Sequence, residues 1–189
     1  MKLILASASP RRRELLGLFG IPFEIRAADI DETMEPNGSP FDEVGRVSRL
    51  KALATERSGE DVVIAADTIV VLGSQILGKP HSPEEAKQML RSLSGRDHQV
   101  MTGLTVLRGE TCRTVTEITH IHFRQLLERE IEAYVQSGEP MDKAGSYGIQ
   151  GGAALFAEGM SGDYYNVMGL PVCTLWKLLR EIAPELLER

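Results

Sequence analysis

The run Val62-Val63-Ile64-Ala65-Ala66-Asp67-Thr68-Ile69-Val70-Val71-Leu72 constrains this chain more than any other stretch. Its β-branched residues are of the kind that fill a buried strand. One carboxylate, Asp67, sits in the middle. Taking even an uncharged polar group out of water without a partner costs roughly 2–7 kcal/mol, so Asp67 needs a reason to be there. Two placements supply one. It faces a cleft, a metal or a cation, or it closes a strand end by accepting hydrogen bonds from neighbouring backbone amides.

The residues after Leu72 bear on that choice. Gly73-Ser74 between apolar runs predicts a two-residue type II′ hairpin. Leu72 then pairs with Gln75, and a continued ladder brings Thr68 opposite Lys79. Side chains alternate along a strand, so a regular ladder turns Lys79 to the face opposite Asp67. A bulge at Gly78, or an early end to the pairing at Pro80, lets both reach one pocket.

Composition narrows the classes. At 189 residues the chain fits one domain, residues 1–189, with a sizeable core. A net charge of −6 argues against a nucleic-acid surface, though a local basic cluster can still hold a small anion. Cys112 and Cys173 lack metal spacing, which points to a reduced cytoplasmic setting. No run reaches the ~18 apolar residues of a membrane span, and Met1–Ala6 is too short for a signal peptide.

Along the chain, Lys2–Ala6 is a first strand, and Ser9-Pro10 caps a helix with Leu15, Leu16, Leu18 and Phe19 on its core face. Arg11-Arg12-Arg13 fill its first turn, where cations oppose the helix dipole. With Ser7, Ser9 and the free amides they suit a polyphosphate, although ~100° between successive side chains keeps all three from one ligand. Residues 22–27 form a second strand, before the acidic segment Asp29-Ile30-Asp31-Glu32-Thr33, whose oxygens suit Mg²⁺ or Mn²⁺. The turn formers Pro36-Asn37-Gly38-Ser39-Pro40 lead into a helix with Phe41, Val44, Val47, Leu50 and Ala54 on its buried stripe. Lys51 lies on or beside that stripe, either snorkelling or meeting phosphate.

Ser82-Pro83-Glu84-Glu85 opens a helix burying Ala86, Met89, Leu90 and Leu93. Residues 100–107 and 111–123 make a strand pair, with His120 and His122 on one face as a surface pair or a soft-metal site. Helices follow over 126–135 and 171–182, the latter with Val172, Leu175, Trp176 and Leu179 inward. Between them, the glycine-rich Asp142–Gly152 segment is a loop with bends that lacks the Gly-Lys-Ser/Thr ending of a Walker loop.

Three segments, Ser7-Ala8-Ser9-Pro10-Arg11-Arg12, Ala66-Asp67-Thr68 followed by Gly78-Lys79-Pro80, and Asp142-Lys143-Ala144-Gly145-Ser146-Tyr147-Gly148-Ile149-Gln150-Gly151, occur in this order across the chain. In them the chain resembles the Maf family of nucleoside triphosphate pyrophosphatases, once described as septum-formation inhibitors. The resemblance implies an α/β fold: an elongated mixed twisted sheet with flanking helices and two lobes around a central cleft, similar to inosine triphosphate pyrophosphatases. It also implies a homodimer and a divalent metal, Mg²⁺ or Mn²⁺. Asp67 matches the family's proton acceptor; Ser7, Arg12, Glu32, Lys51, Lys79 and Gln150 match its other polar positions. Arg11, Thr68 and Gln150 match positions tied to base preference in the dTTP/UTP branch, whereas the 7-methyl-GTP branch differs after Ser-Pro and carries glutamate near 149–151.

On that reading Arg11, Arg12, Lys51 and Lys79 hold phosphates, and Glu32, with Asp67, holds the metal. Gln150 offers one donor and one acceptor to a pyrimidine edge, and Tyr147, Tyr164 or Tyr165 is placed to stack on the base. An ordinary Asp titrates near ~3.9, so Asp67 acts either as a base with a raised pKa or chiefly through a metal that acidifies water. The rivals are a modified pyrimidine or other triphosphate, and a non-hydrolysing nucleotide sensor of septum formation.

Overall fold

In the computed structural model, which describes residues 1–35 and 38–188, the run Val62–Leu72 is one strand, β3. Pro36 and Asn37 of the expected turn lie outside the described residues. Strands β1 (Leu3–Leu5), β2 (Phe23–Ile25), β3, β4 (Gln75–Leu77), β5 (Asp97–Arg108), β6 (Thr111–Phe123) and β7 (Ala157–Ser161) form a mixed sheet. Its order is β2-β1-β3-β5-β6-β7, with β4 on β3. The helices are α1 (Pro10–Gly17), α2 (Pro40–Ala54), α3 (Pro83–Leu93), α4 (Glu128–Gln136), α5 (Tyr164–Met168) and α6 (Val172–Ile182).

The chain divides into two compact units, and β3 passes from one to the other between Asp67 and Thr68. The first comprises residues 1–67, 102–117 and 169–189. Its β1 pairs in parallel with β2 (Leu3 with Phe23) and with β3 (Leu3 with Val62). Parallel neighbours need a crossover rather than a tight turn, and α1 and α2 lie in those crossovers. Ile4, Ala6, Ala52, Val63, Ala65 and Leu107 make its apolar centre.

Two glycines let α2 lie flat on this sheet. A Cβ on Gly103 in β5 would sit 2.3 Å from the Val44 carbonyl oxygen and 2.8 Å from Gly45 Cα. Ser48 then reaches Thr105, with 2.7 Å between hydroxyls. This close approach rotates the buried stripe away from the expected one. Val44 and Val47 are buried, whereas Phe41, Leu50 and Ala54 are exposed, and Lys51 and Ala52 turn inward.

The second unit comprises residues 68–101 and 118–168. Its β3–β4 hairpin has the expected register, Leu72 with Gln75 across Gly73-Ser74, and Gly73 has φ +63°. The ladder runs from Leu72 with Gln75 to Val70 with Leu77, so Lys79 comes after the strand instead of facing Thr68 within it. The apolar centre gathers Val70, Leu90, Leu93, Ile121, Phe123, Ile131, Tyr147 and Phe156.

Other expectations need correction. Leu18 and Trp176 are exposed, because α1 and α6 pack through Leu15-Leu16 and through Leu175, Leu178 and Leu179; the Arg180 guanidinium lies over the Trp176 ring. Strand β7 and helix α5 carry no clear pattern in the sequence. Ala157–Ser161 has little apolar alternation and is held by pairing with β6.

Candidate active site

Asp67 is 9% exposed, at the last position of the first unit on β3. Its partner is Lys51, whose Nζ donates to Asp67 Oδ1 at 2.8 Å. Of the two placements open to it, Asp67 therefore takes the one facing a cation. The same ammonium lies 2.8 Å from Glu32 Oε2. Lys51 thus neither snorkels nor stands free: one turn past Ser48, on the buried side of α2, it bridges two carboxylates drawn from separate segments.

Glu32 is held in place by residues that no sequence motif marks. Glu43 Oε2 accepts the Glu35 amide at 2.7 Å, and Arg46 donates to the Thr33 carbonyl at 2.9 Å. Arg46 also pairs with Glu43. The acidic segment is therefore fastened to α2 just beyond Glu32. Helical i,i+3 spacing of opposite charges was the available signal, but it usually marks a solvated pair.

The β1–α1 turn belongs to the same unit. Ser9 caps α1 through the Arg12 amide. Arg12 Nε donates to the Gly169 carbonyl at 2.8 Å, and its Nη1 donates to the buried Ser7 hydroxyl at 3.2 Å. Burial disfavours the charged guanidinium, while the Asp67 carboxylate, and more weakly Glu32, favour it and Arg11 opposes it. Arg12 therefore lies within the field of Asp67. The first unit gathers Ser7, Arg12, Glu32, Lys51 and Asp67, with Arg11 beside Arg12.

Two carboxylates around one ammonium are also a donor set suited to a small hard cation. Among the described residues no group of three or more His, Cys, Asp or Glu could hold a metal alone. Mg²⁺ and Mn²⁺ bind through one or two carboxylates and complete their shell with water and phosphate, and Glu32 and Asp67 are the carboxylates that would serve. His122 instead pairs with Asp97, 3.0 Å away.

Thr68, Lys79 and Gln150 lie in the second unit. Lys79 and Gln150 are exposed and Thr68 is partly buried. Gly145 N–H donates to the Gly78 carbonyl at 3.0 Å, which ties the glycine segment to the residue before Lys79. Tyr147 is not available for stacking: it is buried, edge-on to Phe123 and His98, with its hydroxyl 2.8 Å from His98 Nε2. Tyr164 and Tyr165 remain exposed. Gly148, Gly151 and Gly152 lie close against Lys143, Glu139 and Tyr134 of this same chain.

Known proteins match this chain over nearly its whole length. The family model described as Maf-like protein matches residues 2–182. Proteins named dTTP/UTP pyrophosphatase from Bacillus cereus (strain G9842) and Bacillus anthracis are each 48% identical over 181 residues, 95% of this chain and 95% of theirs. Among solved structures, the chain is similar to a HAM1 protein from Coxiella burnetii, with 17% identity, a TM-score of 0.48, and coverage of 96% of this chain and 99% of that one.

Proposed function

The chain belongs to the Maf family, and on that premise we propose that it hydrolyses dTTP and UTP to the monophosphate and pyrophosphate. The observation that carries the chemistry is Lys51 bridging Asp67 and Glu32 in the same unit as Arg12, whose guanidinium feels the Asp67 charge. Such a cluster can hold a polyanion and place a base next to it, and phosphoryl chemistry depends on positioning and charge neutralisation.

In this reading Arg11, Arg12 and Ser7, at the α1 N-terminus, hold phosphate oxygens. Lys51 and Lys79 add positive charge. Asp67 accepts the proton of a water whose oxygen bonds to the α-phosphorus. The bond from that phosphorus to the bridging oxygen breaks, its electron pair leaves with pyrophosphate, and the proton passes on to solvent. Glu32 and Asp67 are the residues that would hold Mg²⁺ or Mn²⁺. When bound, the metal supplies charge neutralisation on the triphosphate and a more acidic water. Gln150 meets the acceptor–donor–acceptor edge of uracil or thymine, with Thr68 beside the sugar or base.

We further propose that residues 1–189 act as one domain, since each unit is assembled from separate stretches of chain, and that the enzyme works as a homodimer in the cytoplasm. Among the described residues no helix is long and apolar enough to cross a membrane.

The test is pyrophosphate release from a panel of triphosphates with Mg²⁺ or Mn²⁺. Selective release from dTTP and UTP is expected, and its loss in Asp67→Asn by about a thousandfold or more with nucleotide binding retained. Turnover that survives Asp67→Asn refutes the assigned base.

A further inference from the structure

Within the second unit, one carboxylate organises the end of the glycine segment, from Gly148 to Gly152. Glu139 Oε1 accepts the Tyr134 hydroxyl at 2.9 Å, and its Oε2 accepts the Gly152 amide at 3.0 Å. The Tyr134 oxygen in turn accepts the Gly148 amide at 3.0 Å. Burial pushes the Tyr134 phenol up, which keeps its proton available for donation. Lys143 Nζ closes the arrangement on the Glu139 carbonyl at 2.6 Å.

The glycine positions have their cause here. A Cβ on Gly151 would lie 2.0 Å from Glu139 Oε1 and one on Gly148 2.7 Å from Lys143 Cε. A Cβ on Gly152 would lie 3.1 Å from the Tyr134 ring. Only a backbone without side chains at these points can wrap so closely around Glu139. Between them Gly151 N–H donates to the Gly148 carbonyl at 3.0 Å, closing a turn whose central residues are Ile149 and Gln150. Ile149 is buried and Gln150 is exposed. The turn is thus held at both ends, and its exposed tip carries the glutamine amide.

We propose that Glu139 is a positioning residue for base recognition. Its carboxylate fixes the Gly148–Gly152 turn, and through it the direction in which Gln150 presents its amide. This rests on the reading that Gln150 meets the pyrimidine edge. An amide discriminates uracil from cytosine only while its donor and acceptor are held in one orientation. A turn released from Glu139 lets the amide accept either edge. Glutamine at 139 keeps one acceptor oxygen, enough for either the Gly152 amide or the Tyr134 hydroxyl but not for both; alanine meets neither.

The experiment compares wild type, Glu139→Ala, Glu139→Gln and Tyr134→Phe by calorimetric binding of the non-hydrolysable α,β-methylene analogues of UTP and CTP. Hydrogen exchange at residues 148–152 is measured in parallel. Wild type is expected to prefer the uridine analogue by about tenfold or more. Glu139→Ala should bring the two within about twofold and speed exchange in the turn, with Tyr134→Phe and Glu139→Gln intermediate. A purely structural role weakens both analogues alike, so an unchanged ratio in Glu139→Ala overturns the proposal. A wild type that binds both alike, or neither, also overturns it. A wild type that selects the uridine analogue but releases no pyrophosphate from UTP removes the hydrolase reading and leaves the role of Glu139 to the binding ratio.

Discussion

The Lys51 ammonium sits 2.8 Å from Asp67 Oδ1 and occupies the position between Asp67 and Glu32. One cation therefore pairs with two carboxylates, which leaves the trio one negative charge in excess; Asp67 is buried and Glu32 largely exposed. Removing one partner of a buried pair costs about 3–5 kcal/mol; exposure of Glu32 to water favours the lower end. Lys51→Met should therefore lose about 3 kcal/mol in denaturant unfolding. On the proposed assignment of Glu32 and Asp67 to the metal, the ammonium and a divalent cation compete for the same oxygens. Lys51→Met should retain Mn²⁺ more tightly than wild type without nucleotide, read from the resonance of free Mn²⁺. Equal retention would show that the two cations use different oxygens.

Arg12 joins Gly169 to Ser7 through two nitrogens of one guanidinium. A lysine ammonium is a compact point charge and cannot span the two with fixed geometry. Arg12→Lys should keep the charge but lose about 1–3 kcal/mol of stability, and it should raise KM for the triphosphate more than it lowers kcat. Steady-state kinetics beside a melting curve check both; a variant indistinguishable from wild type in KM would discount the turn as a phosphate site.

Gly103 controls how near α2 approaches β5. An alanine Cβ there meets the Val44 carbonyl oxygen at 2.3 Å, a backbone atom that cannot rotate away. Gly103→Ala should cost about 1–3 kcal/mol through overpacking. It should also impair turnover by displacing Lys51, which lies further along the same helix. Full activity in a folded Gly103→Ala protein would mean that α2 need not lie so close.

Burial holds the His98 imidazole down to about 4, against an ordinary 6.5, with the Arg96 backbone and the Asp97 charge pulling the other way. Below pH 6.5 the unfolded chain takes up a proton that the folded chain refuses until about pH 4. Stability should therefore fall as pH drops through that window and level off below it, by about 3 kcal/mol at most. His98→Gln keeps a partner for the Tyr147 hydroxyl and does not titrate. Its unfolding free energies at about pH 4.5 and about pH 7.5, near the ends of the window, should differ less than those of wild type.

Much of the local structure is legible because its causes are local. Ser9-Pro10, Ser39-Pro40 and Ser82-Pro83 cap helices with atoms a few residues apart, and Gly73-Ser74 fixes the β3–β4 register. The stripe of α2 departs from its sequence periodicity because two glycines on different elements, Gly45 and Gly103, set its rotation. Tyr147 is withdrawn from the base because its surroundings, His98 and Phe123, are distant in sequence and close over it.

The sequence by itself determined that Asp67 had to find a partner, whether a cation, a metal, a cleft or the backbone amides of a strand end, since an unpartnered carboxylate in a β-branched run is costly. Only the tertiary structure decided that the cation is Lys51, that Glu32 shares it, and that the glycine segment closes around Glu139. Those pairings join residues from different elements, and such contacts depend on how elements pack together, which no local propensity encodes.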